Sequence, residues 1–185
     1  ETYDPVLYAR CHRWGEKRDY HFRIRAPERA LSAGMRSVGL GALLGLGDPF
    51  YDMTALYQHV RQLQRRFWRS GVSVSFPRLR PEPGSFGSPV AIDDRRLAQI
   101  IFAFRLCLPD TPLILSTRET PAFRDGMAGL GISHMSVASR TTVGGYSDVA
   151  IDTHARQFDI SDRRDVGTFC HALRARGLDP VFKNW

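Results

Sequence analysis

Strand-like and helix-like segments alternate along this chain, and that order limits the possible folds more than any single motif. Apolar runs of strand length begin near Ser37, Val72, Leu113 and Ile132, and helix-like segments fill the intervals. Such an order requires parallel strands joined by right-handed crossovers, with the helices outside. We therefore expect an α/β fold in which these strands, with an incomplete strand at Glu1, make about half of an eight-stranded TIM-type barrel.

A parallel half-barrel leaves two unpaired edges and one open inner face. We expect the edges at residues 1–3 and 132–137. The inner face should carry polar ligand-binding side chains together with aliphatic side chains that interlock with the absent strands. The half by itself is therefore expected to aggregate, to dimerise or to be partly molten.

Capping residues and helix-opening prolines mark the predicted helices. The longest apolar helical stripe runs from Met53 to Phe67 and ends at Gly71. The predicted helices cover residues 4–13, 27–34, 48–71, 93–108, a short segment from 121, and 165–176. Residues 20–25 are predicted to form a polar connection, and the loop at 81–89 either covers a site or is a plain surface excursion.

The composition is that of a folded protein with an excess of positive charge. The 185 residues are 43% hydrophobic and carry a net charge of +7, with a pI of about 9.8. That charge suits nucleic acid, a membrane surface or an anionic substrate. The arginines are scattered, and the one cluster has the helical spacing of a solvated surface: Arg61, Arg65, Arg66 and Arg69.

Neither a membrane span nor a leader is predicted. No apolar segment approaches the roughly 20 residues that a span needs, and the first residues lack a basic flank followed by an apolar core. We therefore expect a cytoplasmic chain that binds neither nucleic acid nor membrane. The start at Glu1 rather than methionine suggests a fragment.

The three cysteines, Cys11, Cys107 and Cys170, are far apart in the sequence. Neither a zinc ribbon nor a Cys-x-x-Cys redox site can be built from them locally. We expect them to be reduced and mostly buried, and we predict no metal ligand.

Residues 113–119 combine a buried strand with a polar end. Alternation places Ile114, Ser116 and Arg118 on one face of the strand. An arginine fork beside a hydroxyl suits a carboxylate, and strand ends are where parallel barrels bind substrates. The alternative is a solvated strand end with a loose surface arginine.

Residues 37–47 are rich in glycine and are predicted to begin as a buried strand. Its glycines allow close approach by another backbone or by a flat ligand. Tight packing of strand on helix explains them equally well.

Six segments together resemble one family, the tyrosine lyase of thiamine biosynthesis, 2-iminoacetate synthase. They are residues 1–3, 39–46, 75–81, 115–119, 139–146 and 177–185. The resemblance implies a radical S-adenosylmethionine enzyme. In this family a [4Fe-4S] cluster cleaves S-adenosylmethionine, and the adenosyl radical takes a hydrogen from tyrosine, which splits into 2-iminoacetate and p-cresol.

The resemblance also implies roles for particular residues. Ser116 and Arg118 match the pair that holds the amino-acid end of tyrosine. The residues expected to bind S-adenosylmethionine are Glu1, Arg23, Gly41 and Leu43. No catalytic residue is assigned. Residues 1–150 are expected to be the second half of the radical barrel, and residues 151–185 a C-terminal helix and tail packed on it.

The Cys-x-x-x-Cys-x-x-Cys cluster motif of the family is absent from this sequence. We therefore expect the chain to be a substrate-binding half that is inactive by itself. Its expected partners are tyrosine, a missing N-terminal half or split-gene partner, and the thiazole-forming machinery. A related lyase of hydrogenase maturation carries a second cluster near its C-terminus, and the lack of those cysteines favours the thiamine branch. The alternative is a non-catalytic binding module derived from the same barrel.

Overall fold

The fold is known from a computed structural model that describes residues 1–79, 90–141 and 160–182. The predicted loop at 81–89, most of the motif at 139–146 and the last three residues lie outside this description.

A sheet of four parallel strands forms the centre of the described chain. The strands are β1 (Ser37–Gly41), β2 (Gly71–Ser75), β3 (Leu113–Leu115) and β4 (His134–Met135), and they pair in that order. The predicted parallel α/β fold is confirmed. The last strand is shorter than expected, because pairing with β3 is limited to two residues.

The helices are α1 (Pro5–Cys11), α2 (Tyr20–Ile24), α3 (Ala26–Ser32), α4 (Pro49–Arg66), α5 (Asp94–Cys107), α6 (Pro121–Met127) and α7 (Val166–Ala175). All helices but α2 begin at or next to a predicted cap or proline, whereas the long helix ends at Arg66 and not at Gly71 as predicted, because Gly71 begins β2. Asp93 caps α5 by accepting a hydrogen bond from the Arg96 N–H at 2.7 Å. Gly34 and Gly177, with φ of +93° and +76°, end α3 and α7 as predicted.

Residues 20–25, predicted as a polar connection and not as a helix, are mostly occupied by α2, so this prediction is wrong. Asp19 caps this helix through a hydrogen bond from the Phe22 N–H at 2.8 Å. A helix of five residues is too short to show an apolar period in the sequence. The capping residue Asp19 was therefore the local feature from which this helix could have been predicted.

One face of the sheet packs against the helices. Leu40 pairs in register with Val74, and Val74 with Leu113, and all three are at most 6% exposed. The helical side of this core includes Leu56, Val60, Leu63, Leu97 and Ile101. The apolar stripe predicted for α4 therefore faces the sheet.

The opposite face of the sheet is small and polar. Gly41, Ser75, Ile114 and His134 form one register row across the strands. Within the paired strands, the expectation of several aliphatic side chains here is wrong: the positions of β1 and β2 on this face are glycine or serine, and the register neighbours of Ile114 are Ser75 and His134. A Cβ on Gly41 would lie 2.7 Å from the Ser75 Oγ, so this glycine is required by the neighbouring strand.

The expected edge strand at residues 1–3 is wrong, since these residues lie outside the sheet and β1 is its edge. The Leu43 N–H nevertheless donates to the Glu1 carbonyl at 2.6 Å. This bond places Glu1 next to the carboxyl end of β1.

Candidate functional site

Ser116 and Arg118 lie in a turn at the carboxyl end of β3. The turn is closed by the Glu119 N–H, which is 3.4 Å from the Ser116 carbonyl, and the Arg118 N–H lies 3.4 Å from the Ser116 Oγ. Ser116 and Arg118 are half-buried, whereas Thr117 and Glu119 are 1% exposed. Burial therefore alternates as predicted, although the strand itself ends at Leu115.

A buried arginine, Arg78, stands behind this turn. Its Nε donates to Glu119 Oε1 at 3.1 Å, and its Nη2 also contacts Glu119 Oε2. Nη2 donates to Asp94 Oδ1 at 2.7 Å and Nη1 to the Ile92 carbonyl at 2.9 Å. The guanidinium thus joins the end of β2, the turn after β3 and the beginning of α5.

The sequence analysis did not identify the pairing of Arg78 with Glu119. Arg78 lies at the same alternation as the buried Val74 and Phe76, and Glu119 at the same alternation as Leu115. The pair could have been predicted from two opposite charges that both fall at buried positions of neighbouring strands. Burial disfavours the charged form of Arg78, but the hydrogen bonds and charges of Glu119 and Asp94 outweigh it, so the pKa of Arg78 is raised.

The C-terminal segment supports the same turn from the other side. The N–H groups of Ser161 and Asp162 both donate to the Thr117 carbonyl at 3.0 Å. Asp162 forms a buried ion pair with Arg124, whose guanidinium also contacts the Ser136 carbonyl. The turn is therefore held between the sheet and residues 160–162.

Arg164 extends this second ion pair. It donates to Asp162 Oδ2 at 2.7 Å and to both oxygens of Asp125, at 2.9 and 2.8 Å. Burial alone would raise the pKa of Asp162, but hydrogen bonds from Arg164 and the charge of Arg124 outweigh it, so this pKa is lowered. Burial lowers the pKa of Arg124 despite the attraction of Asp162.

A cavity of ≈ 470 Å³ lies along the open edge of β1. Its lining includes three of the residues predicted to bind a cofactor: Glu1, Arg23 and Gly41. Leu43 joins this region through its main-chain bond to Glu1. The Glu1 carboxylate lies 4.0 Å from the Lys17 Nζ, and Arg23 is exposed on α2. The structure thus gathers one carboxylate and one guanidinium around a concave space.

Asp52 of α4 anchors the segment that carries Glu1. The Thr2 hydroxyl donates to Asp52 at 2.9 and 3.1 Å, and the Tyr3 N–H donates to it at 2.6 Å. The Tyr3 hydroxyl lies 2.9 Å from the His59 Nδ1, and the Tyr20 hydroxyl donates to the Tyr3 carbonyl at 2.7 Å.

Two titrating groups in this anchor have shifted pKa values. Burial, with Tyr20 and the charge of Asp52, raises the pKa of Tyr3. Burial lowers the pKa of His59, and the charge of Glu28 opposes that shift.

The cysteines differ from the expectation that most are buried, because Cys11 and Cys107 are exposed and Cys170 alone is buried. They lie on α1, α5 and α7. Within residues 1–79, 90–141 and 160–182, no group of three histidine, cysteine or acidic side chains is arranged to hold a metal ion. This donor set does not fit a [4Fe-4S] cluster.

None of the helices in the described ranges combines the length and apolar composition that a bilayer crossing needs.

Comparisons with known proteins identify the class to which this sheet and its C-terminal segment belong. Residues 75–179 match the Biotin and Thiamin Synthesis associated domain. Two solved structures of the [FeFe]-hydrogenase maturase HydG share the fold. One has a TM-score of 0.86 and 35% identity, covering 96% of this chain and 38% of that protein. The other, from Carboxydothermus hydrogenoformans, has a TM-score of 0.87 and 37% identity, covering 100% and 42%.

Curated relatives sharpen the assignment. The 2-iminoacetate synthases of Salmonella typhimurium and Escherichia coli are 42% and 44% identical over 186 aligned residues, which cover 100% of this chain. The chain spans about half the length of these relatives, 49% in both cases. The chain belongs to the family that carries the Biotin and Thiamin Synthesis associated domain, and the resemblance to 2-iminoacetate synthase is confirmed.

Proposed function

We propose that this chain is the substrate-binding half of a radical S-adenosylmethionine tyrosine lyase that forms 2-iminoacetate and p-cresol for the thiazole of thiamine. The observation that carries the proposal is the turn that presents Ser116 and Arg118 together, in a chain 44% identical to the E. coli 2-iminoacetate synthase. Because the chain covers 49% of that relative, activity requires residues outside it.

Arg118 and Ser116 hold the amino-acid end of tyrosine. A guanidinium binds a carboxylate with two parallel hydrogen bonds, which fixes orientation as well as charge. The Ser116 hydroxyl can accept from the substrate ammonium or donate to its carboxylate. The small inner face at Gly41 and Ser75 leaves space beside them for the rest of the substrate.

Glu1, Arg23, Gly41 and Leu43 hold S-adenosylmethionine. The fit rests on the cavity beside β1, whose ≈ 470 Å³ lies within the range of roughly 300–1,000 Å³ typical of small-molecule sites. Arg23 offers a positive charge to the methionyl carboxylate, and Glu1 offers a negative charge to the ammonium. When bound, the cofactor supplies the hydrogen-abstracting radical chemistry of the family.

The [4Fe-4S] cluster takes its ligands from outside this chain, since the cysteines here lie on three separate helices. Its source is an N-terminal half or a split-gene partner carrying the missing motif. β1 and β4 are the terminal strands of the sheet in the described residues, and such a half would complete the barrel beside them. Residues 1–150 then form the second half of that barrel, and 151–185 a tail that packs on it. The thiazole-forming machinery receives the product.

A chimera tests the proposal. We define it as the first half of the E. coli 2-iminoacetate synthase joined to residues 1–185. Reconstituted anaerobically, it should release p-cresol from tyrosine. Arg118→Lys should weaken tyrosine binding by about 1.5–3 kcal/mol, because a point charge replaces a planar fork, while S-adenosylmethionine binding is little changed. Unchanged tyrosine affinity in this variant would remove Arg118 from the site.

A non-catalytic binding module is the second candidate, and the separate cavity and turn would serve it equally. It is favoured if the chain alone binds tyrosine as a sharply folding monomer and the chimera makes no p-cresol.

A further inference from the structure

Arg78 and Glu119 form one of the two buried ion pairs beside the proposed substrate site. Their side chains are 5% and 1% exposed, respectively. Both oxygens of Glu119 are contacted by Arg78, and the rest of the guanidinium is bonded to Asp94 and to the Ile92 carbonyl. The geometry is that of a rigid fork, since each nitrogen of the guanidinium donates to a protein oxygen.

This pair is connected to Arg118 in two independent ways. Glu119 is the next residue in the chain, so fixing its side chain fixes the backbone at the end of the turn. In addition, the Arg118 Nη1 lies 3.5 Å from the Arg78 carbonyl oxygen. The main chain of Arg78 is itself held, because it pairs with Leu44 beyond the end of β1.

A general need for stability does not explain such a pair. Buried ion pairs can often be replaced by apolar residues of similar volume without loss of stability, because desolvation offsets their attraction.

The chain also contains an arginine that serves the framework alone. Arg105 donates to the carbonyls of Pro109, Thr111 and Gly131 at 2.6, 3.1 and 2.9 Å, at the amino ends of β3 and β4.

We propose that Arg78 and Glu119 are positioning residues that orient the Arg118 guanidinium toward the carboxylate of the bound amino acid. This inference rests on the proposed function of Ser116 and Arg118. Neither residue of the pair touches the substrate. The ion pair fixes the orientation of the turn, and Arg118 itself binds the carboxylate of the amino acid.

The experiment measures tyrosine binding to the chimera without its cluster, by calorimetry, together with KM, kcat and the melting temperature of the reconstituted protein. Glu119→Gln and Arg78→Lys should each weaken tyrosine binding at least tenfold, since a misdirected Arg118 guanidinium loses one or both of its parallel hydrogen bonds to the carboxylate. KM should rise by the same factor, with kcat changed much less. Arg105→Lys is the matched control, and it should alter the melting temperature but not tyrosine affinity.

A double-mutant cycle separates positioning from a structural effect. If Glu119 acts through Arg118, Glu119→Gln should have little further effect on tyrosine affinity in an Arg118→Lys background. Additive losses would overturn the inference, as would losses no larger than that of Arg105→Lys. If Arg118→Lys itself leaves tyrosine affinity unchanged, the proposed function fails. If only the Arg78 and Glu119 variants are silent, the inference fails and the proposed function stands.

Discussion

The two ligand regions of this chain are held in place by different interactions. At the open edge of β1, Glu1 is positioned by neutral donors that converge on one carboxylate, Asp52. At the end of β3, the turn that carries Arg118 is enclosed by two buried ion pairs, Arg78 with Glu119 and Arg124 with Asp162.

The difference follows from solvent access. Asp52 and Thr2 are buried, at 3% and 6% exposure. Tyr3, Tyr20 and His59 around them are less buried and border a cavity, so their hydroxyls and imidazole can exchange partners with water at low cost. The ion pairs lie where helices and the C-terminal segment cover the sheet, and a charge there requires a fixed partner. The turn is therefore expected to be rigid and costly to disturb, and the β1 edge to be adjustable.

The largest effect is expected from Asp162→Asn. It leaves Arg124, which is 1% exposed, without its carboxylate partner. Breaking one side of a buried pair costs about 3–5 kcal/mol, so urea unfolding of the chimera should show a loss of that order. Asp125→Asn is the control, because Asp125 contacts the more accessible Arg164, and it should lose about 1 kcal/mol or less.

The loss of unfolding free energy in Asp162→Asn should depend on pH, and the direction of that dependence follows from the pKa of Asp162. The folded-state pKa of Asp162 is lowered, so its contribution is present above the unfolded pKa of about 3.8 and is lost as pH falls through the folded value. The difference between wild type and Asp162→Asn should therefore be constant near neutral pH and should shrink in acid. A difference that grows in acid would contradict the pairing.

Local patterns in the sequence were sufficient to predict most elements of this fold. The caps at Asp93 and Gly177 and the alternating burial at residues 113–119 all follow from neighbours within one or two turns of chain. They define which face of a strand or helix is buried.

The partners of buried charges could not be predicted in the same way. Arg78 and Glu119 are 41 residues apart, and Arg124 and Asp162 are 38 apart. The spacing of apolar residues predicts which face of a strand is buried. Which residue lies opposite on the next strand depends on the register between strands, and that register depends on the whole sheet. The exposure of Cys107 was missed for a related reason. Cysteine is usually buried, but that general preference does not show that this cysteine lies on the outer side of α5.

An intermediate effect is expected at the β1 edge from Asp52→Asn. The variant loses charge-assisted bonds to the Thr2 hydroxyl and the Tyr3 N–H, each worth about 1.5–3 kcal/mol, but an amide oxygen keeps part of them. Hydrogen exchange at Tyr3 should accelerate, and S-adenosylmethionine affinity of the chimera should fall. Tyrosine affinity should be unchanged, and an equal loss for both ligands would show that the two regions are not independent.

The smallest effect is expected from titration of His59. Burial lowers its folded-state pKa, so the neutral imidazole is favoured in the fold. Its stabilising contribution is therefore complete above the unfolded pKa of about 6.5 and decreases as pH falls from there toward the folded value. The folded ring is protonated only as pH falls through that lowered value, and there the hydrogen bond to the Tyr3 hydroxyl weakens, because a protonated Nδ1 can no longer accept. S-adenosylmethionine affinity of the wild type should therefore fall modestly as pH falls through the folded value, below about 6.5, and His59→Gln should flatten that dependence. Tyrosine affinity should show no such step, since His59 borders the cavity at β1 and not the turn that carries Arg118. A shared step in both affinities would mean that His59 acts on the whole chain rather than on the β1 edge.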